Sequence, residues 1–250
     1  MLTSIDALAA KASDPVAVII NEFQHTVAEE GVDGERRLRA VVQAHQHVGY
    51  VFAGSDTTML SAMTGDHGRP FYQPGSRMSL GAVPREHFRE HIHGGFARSG
   101  KTISAEATER SLDLAEDVPY TVQLLVNATW RLATATTATA TTDIATADVD
   151  AALERLLARE DPQYATLADQ LTTNQRKALH AAAHAPNGSG LTSTEVAREY
   201  RIAISTLRRA VDGLVQRAIL RRVPGSGERG GRLVFEDPVF RQWVLGRLRW

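Results

Sequence analysis

The run Val16-Ala17-Val18-Ile19-Ile20 holds five apolar residues, four of them β-branched, and stops at the polar pair Asn21-Glu22. Side chains branched at Cβ are stiff and fit a pleated surface better than a helix. An unbroken run of this length predicts a strand buried on both faces, as in a parallel sheet covered by helices. In such sheets chemistry collects beyond the carboxyl ends of the strands, where Asn21 and Glu22 would stand. A plain core strand that ends in polar residues has the same sequence, so the run alone leaves both readings open.

The rest of the first half alternates between helix and strand signals. Residues 4–12 predict a short helix, ended by Asp14-Pro15. A polar loop with Gly31 and Gly34 follows Gln24, then a helix from about Glu35 with Leu38, Val41, Val42 and His45 at helical spacing. Residues 48–53 form a second buried strand, closed by Gly54-Ser55, and Asp56 is placed to cap a short helix through Met59, Leu60 and Met63. After a loop, residues 78–83 predict a third short strand, and Pro84 opens a helix to about Ala97. Further helices are predicted from Ser104, from Pro119-Tyr120 to about Ala133, and over residues 148–159. The Ala/Thr tract of residues 133–147 predicts a frayed helix end and connector, because threonine is a weak helix former.

The last eighty residues have a different character. A helix over residues 171–183 precedes a capping box, Thr192-Ser193-Thr194-Glu195, that starts a second helix. A third, from Ser205, carries the apolar stripe Leu207, Ala210, Val211 and Leu214. Two short strands, 219–223 and 232–236, flank an arginine-bearing Gly-rich loop, and Asp237-Pro238 opens a closing helix. This order predicts a winged helix. The charge agrees with a boundary: residues 171–250 hold 14 Lys and Arg against 6 Asp and Glu, a balance of +8, whereas the remainder stands at −9. A basic unit behind an acidic body points to a polyanionic partner, or to mutual attraction between the two parts. An apolar fraction of 43% is that of a globular protein, and the absence of cysteine excludes disulfides and thiolate chemistry and fits a cytoplasmic location. The N-terminal residues lack the basic flank of a signal peptide, and no run is long enough for a membrane span.

Several motifs in order then carry a resemblance. The strand ending Asn21-Glu22-Phe23-Gln24, Leu38-Arg39, Val51-Phe52-Ala53-Gly54-Ser55, Pro119-Tyr120 at a helix start, and Asp237-Pro238-Val239-Phe240-Arg241-Gln242-Trp243 near the end are found together. They resemble the archaeal-type P-loop ATPases, STAND/AAA+ relatives of the origin-recognition ATPases. The resemblance implies an α/β fold followed by an all-α part. These would be a partial AAA+-like P-loop NTPase core with a parallel sheet over residues 1–83, a helical lid and connector over 84–160, and a winged-helix domain over 161–250. It implies Glu22 as the catalytic, water-polarising residue, and Asn21, Ser55 and Pro119 as the groups nearest the nucleotide. In the complete family protein the cofactors are ATP and Mg²⁺. Two departures stand out. The family's P-loop precedes the Walker B strand by well over fifty residues, yet fifteen residues precede it here, so the chain resembles the C-terminal part of such a protein. The Walker B aspartate is Asn21, which keeps an acceptor oxygen but lacks the charge that holds Mg²⁺.

Two local matches have the wrong context. Gly95-Phe96-Ala97-Arg98-Ser99-Gly100-Lys101-Thr102 fits the P-loop pattern, but a working P-loop follows a buried strand and opens a helix, and charged residues 85–93 lie upstream. His87 and His91 fit the spacing of an inverted zinc-protease helix, with no third ligand marked.

The expected function is therefore a nucleotide-dependent switch coupled to a winged helix, not hydrolytic by itself, with the phosphate-binding half or a second copy as partner. A nucleic-acid-binding regulator that does not use ATP remains open. It would bind duplex DNA through Ser205, Thr206, Arg208 and Arg209 and through the wing residues Arg229 and Arg232. A protein-docking scaffold remains open as well, since an arginine-rich face is often merely solvated.

Overall fold

The computed structural model describes residues 2–54, 57–136, 143–185, 190–223 and 232–248. The chain divides into two compact units, Met1–Leu80 and Gly81–Trp250.

The first unit is built on α1 (Leu2–Ala9), β1 (Val16–Ile20), α2 (Phe23–Ala44), β2 (Val48–Phe52) and α3 (Thr57–Gly65). β1 and β2 pair in parallel, Val16 opposite Val48 through Ile20 opposite Phe52. Ile20 and Phe52 pack against a small core of Phe23, Met63 and Phe71, joined by Leu38, Met59 and Leu60. The rings of Phe23, Phe52 and Phe71 lie 4.6–5.1 Å apart, tilted or edge-on, an arrangement worth about 1 kcal/mol per pair beyond area burial. Glu35, fully buried on α2, pairs with Arg69 Nε at 3.0 Å, and Arg39 lies over the Phe71 ring. These contacts fasten the segment after α3 to α2. Asp6 fastens α1 in turn: its Oδ1 accepts from the amides of Gln46 and His47, at 3.0 and 2.8 Å, in the turn that starts β2.

Three expectations are corrected here. The strands are not buried on both faces: burial alternates along each, and Ile19 and Val51 stand 69% and 50% exposed. The apolar run persists while the helices cover one face. Residues 78–83 are not a strand, and Met78 and Leu80 are 85% and 90% exposed. A strand needs a ladder partner, and among the described residues β1 and β2 pair only with each other. The segment after Gln24 is not a loop: α2 runs through it with a kink at Gly31, whose φ of 65° and ψ of −163° only glycine adopts readily.

The second unit is mostly helical: α4 (Arg85–Arg98), β3 (Thr102–Ile103), α5 (Ala105–Ala115), α6 (Pro119–Thr136), β4 (Asp143–Ile144), α7 (Thr146–Asp169), α8 (Thr173–His184), α9 (Thr194–Glu199), α10 (Ile204–Gln216), β5 (Leu220–Val223), β6 (Arg232–Phe235) and α11 (Pro238–Arg247). One continuous apolar core runs from Phe88 to Val244. The end of the Ala/Thr tract supplies β4, which pairs in parallel with β3 and buries Ile144; residues 137–142 lie outside the described residues. α7 outruns its predicted end by ten residues and passes through Pro162. The cap of α9 is Ser193, which accepts from the Val196 amide at 3.3 Å, one residue later than the predicted box. A true box opens α8, where Thr172 and Gln175 exchange bonds. β5 and β6 are antiparallel, Leu220 opposite Phe235. Among the described residues no helix is long and apolar enough to cross a membrane.

α11 is held on α7 by polar bonds at the rim of an aromatic cluster. Tyr164 donates its hydroxyl to Asp237 at 2.6 Å, Trp243 Nε1 donates to Asp161 at 2.8 Å, and Arg247 bonds Asp161 at 3.0 Å. Burial, and then the Asp237 carboxylate, push the Tyr164 phenol far above its ordinary range.

Two outcomes follow from this architecture. The bare sheet face and residues 78–80 should bind a dye for exposed apolar surface or drive self-association. Replacing Ile19 and Val51 together by Thr should reduce the dye signal, and an unchanged signal would place the exposed surface elsewhere. The bonds from Trp243 and Arg247 hold the Asp161 carboxyl below its ordinary value of 3.8. Its contribution is therefore full above that value and is lost as pH falls through the lower folded value. Asp161→Asn should lower the melting temperature of the second unit near neutrality, with the gap to wild type closing in strong acid.

Candidate functional site

The first candidate site lies where β1 and β2 end. Ala53 N donates to Ile20 O and Phe23 N donates to Ala53 O, both at 2.9 Å, which sews the two strand ends together. Asn21 is exposed and Glu22 half-buried. Glu22 stands at the N-cap of α2 with φ 48° and ψ 44°, a left-handed conformation that costs a non-glycine residue about 1 kcal/mol. Gln24 is buried, donates its Nε2 to the Glu22 carboxylate, and leaves its Oε1 without a hydrogen bond among the described residues. A methyl group at Gly54 would collide with that Oε1, so glycine is needed for this approach. The fold thus brings Glu22, Gln24 and Gly54 together. Gln24 is the member to which sequence reasoning gave no role; the segment after it reads as a loop, and only the structure places Gln24 in the first turn of α2. Ser55 lies outside the described residues. Pro119 belongs to the second unit, where it is the exposed first residue of α6, ahead of a 74% exposed Tyr120.

A Mg²⁺–nucleotide fits these residues poorly. Among the described residues the strand ends offer one carboxylate, Glu22, already held by Gln24, and Asn21 is neutral. Among the described residues no group of three or more metal-binding side chains gathers. His87 is exposed and lies 3.9 Å from Glu90, on the open face of α4.

The P-loop-like stretch has the reverse of a phosphate cradle's topology. Gly95 to Arg98 form the last turn of α4, Gly100 turns with φ 71°, and Thr102 enters β3. Phe96 is 2% exposed, inside the core. Lys101 Nζ sits 5.9 Å from the Trp130 ring centroid, and Trp130 Nε1 donates to Ser99 Oγ at 2.8 Å. These residues hold α6 against the end of α4.

The second candidate site is the outer side of α10. Leu207, Ala210, Val211 and Leu214 are buried, so Ser205, Arg208 and Arg209 are exposed and Thr206 half-buried. Asp212 pairs with Arg222 of β5 at 2.5 Å, which ties the helix to the hairpin and occupies Arg222. Arg201, exposed in the turn before α10 with φ 49°, adds a cation that sequence reasoning missed. Its signal was an arginine inside a short inter-helix turn. Arg176 and Lys177 of α8 are engaged instead, with Asp169 at 3.3 Å and the Tyr200 carbonyl at 3.1 Å. Arg232 opens β6 and is exposed; Arg229 lies outside the described residues.

No protein-family model and no curated protein matches the sequence. The fold does match solved structures. The Walker-type ATPase PABY2304 of Pyrococcus abyssi superposes with a TM-score of 0.59 at 15% identity, over 96% of this chain and 65% of that one. A point mutant of RuvB from Thermotoga maritima superposes with a TM-score of 0.50 at 18% identity, over 94% and 73%. The chain thus shares the fold of these structures, mostly helical with small two-stranded sheets, and spans 65% of the length of the Pyrococcus protein. Identities this low bear on the fold alone.

Lys101→Ala should lower the melting temperature by a few degrees, from the lost cation–π contact. It should leave the binding of a fluorescent ATP analogue unchanged. Binding that disappears with Lys101 would make residues 95–102 a nucleotide site after all.

Proposed function

We propose that this chain is the sensor, lid and winged-helix part of a P-loop ATPase of the STAND/AAA+ kind, a cytoplasmic switch that binds duplex DNA through its C-terminal winged helix. The observation that carries the proposal is α10. Its buried stripe turns Arg208 and Arg209 outward, its Asp212–Arg222 pair fixes it to an antiparallel hairpin, and Arg201 stands at its entrance. A helix so placed enters the major groove, while the hairpin lies along the backbone. The net positive charge of residues 171–250 supplies sequence-independent attraction to phosphates. ATP and Mg²⁺ belong to this proposal as cofactors of the complete protein, with Glu22, Asn21, Ser55 and Pro119 on the nucleotide side and the phosphate-binding half as partner. The neutral Asn21 and the Gln24-bound Glu22 support a chain that does not hydrolyse ATP by itself. The same two residues favour the second reading, a DNA-binding regulator that works without nucleotide.

Fluorescence anisotropy of the full chain with a short labelled duplex is the test. Arg208→Ala with Arg209→Ala should weaken binding by about tenfold or more and reduce the salt slope by about two. Arg176→Ala with Lys177→Ala should cost less, because both side chains already serve the protein. Equal losses, or no binding at low salt, would make the basic face a protein-docking or merely solvated surface.

A further inference from the structure

The outer face of the β5–β6 hairpin shares a cavity of about 340 Å³ with the turn between α5 and α6. In the hairpin Arg221 lies opposite Val234 and Val223 opposite Arg232, while Leu220 and Phe235 are buried in the core. Strand alternation therefore puts Arg221 and Arg232 on the outer face. That face lines the cavity together with Asp113, Glu116 and Asp117. Arg232 has no ion-pair partner among the described residues, and Arg221 reaches only Glu236, at 3.4 Å.

Arg241 of α11 closes the same cavity. Its Nη1 donates to Glu116 at 3.1 Å, and its Nε and Nη2 donate to the Ala183 carbonyl at 3.1 and 2.8 Å. The ion pair is three-quarters buried, with side chains 27% and 26% exposed. Glu116 and Asp117 are both left-handed, with φ of 50° and 56°. Two consecutive non-glycine residues in that region store backbone strain, of the kind that collects at switch points. Arg85 steadies the turn from the other side, bonding Asp113 at 2.6 Å and Asp117 at 2.9 Å.

We propose that the Glu116–Arg241 pair is an autoinhibitory latch, holding the acidic α5–α6 turn beside the hairpin's outer arginines so that it competes with duplex DNA for them. The proposal rests on the DNA-binding function above. A polyanion approaching Arg232 meets the carboxylates of Glu116 and Asp117 on the turn and of Asp113 at the end of α5. Their arginine pairs offset only part of this charge, which opposes the approach until the turn carries Glu116 and Asp117 away. When only the open form binds DNA, the apparent affinity is reduced by the fraction open. Opening the latch raises that fraction.

The test uses the full chain, a short fluorescein-labelled duplex of mixed sequence, and hydrogen exchange at the amides of Leu233 and Val234. Glu116→Gln removes the charge; Glu116→Asn does the same with a residue that favours the left-handed backbone, so the fold is kept. Both should tighten DNA binding by about threefold or more, the size expected of one partly exposed ion pair. Both should also speed exchange in β6, and Arg232→Ala added to either should cancel the gain in affinity. Unchanged exchange would overturn the latch. Faster exchange with unchanged affinity would overturn the masking of the hairpin. Faster exchange with no DNA binding by any variant would uphold the latch and overturn the DNA-binding function.

Discussion

The docking of α11 is the contact on which the second unit depends. Phe240 and Trp243 stack at 5.7 Å and meet Tyr164 of α7 at 4.9 and 6.0 Å. Polar bonds from Asp237, Asp161 and Arg247 surround this cluster, and Arg241 reaches back to α8 and the α5–α6 turn. One ten-residue helix thus binds α7, α8 and the α5–α6 turn, through bonds that span 58 to 125 residues of sequence. Aromatic burial stabilises the docking without fixing direction, whereas the charge-assisted bonds have directional geometry that sets the angle and register of the helix. Because Arg241 is both a structural bond to the Ala183 carbonyl and half of an ion pair, the packing of the unit and the state of its acidic turn are linked.

The first unit follows a different balance. A two-stranded parallel sheet is the smallest that exists, and its register is secured by the aromatic core on one side and by the Asp6 clamp at one end. The buried Glu35–Arg69 pair adds a polar lock that fixes where the segment after α3 lies. Breaking one half would leave an uncompensated buried charge, at a cost of about 3–5 kcal/mol. Among the described residues nothing covers Ile19 and Val51, which leaves one face of the sheet apolar and exposed.

Much of this was legible in the sequence because the signals were local. The β-branched run gave β1, the period-3.6 stripe of Leu207, Ala210, Val211 and Leu214 gave α10, and Asp237-Pro238 gave the start of α11. The wrong context of the P-loop pattern was legible too, since charged residues and not a buried strand precede it, but the strand β3 that follows Lys101 was not. The errors arose where an outcome hung on a distant partner. Residues 78–83 have strand composition, but no neighbouring ladder is offered to them among the described residues. Gly31 and Gly34 looked like loop residues, yet one positive φ was enough to turn a break into a kink.

The sequence by itself determined the order of the helices in the second unit, the outward side of α10, and the lost charge at Asn21, but not the short strands β3 and β4. These depend on side-chain type and spacing, which local backbone geometry converts directly into structure. Only the tertiary structure decided that Gln24 holds Glu22, that β1 is bare on one face, and that Arg241 bridges Glu116 and Ala183. The Gln24–Glu22 bond depends on α2 starting at Phe23, and the other two depend on how whole elements pack: Arg241 and Glu116 are 125 residues apart. Periodicity says which way a side chain points; packing alone says what it meets.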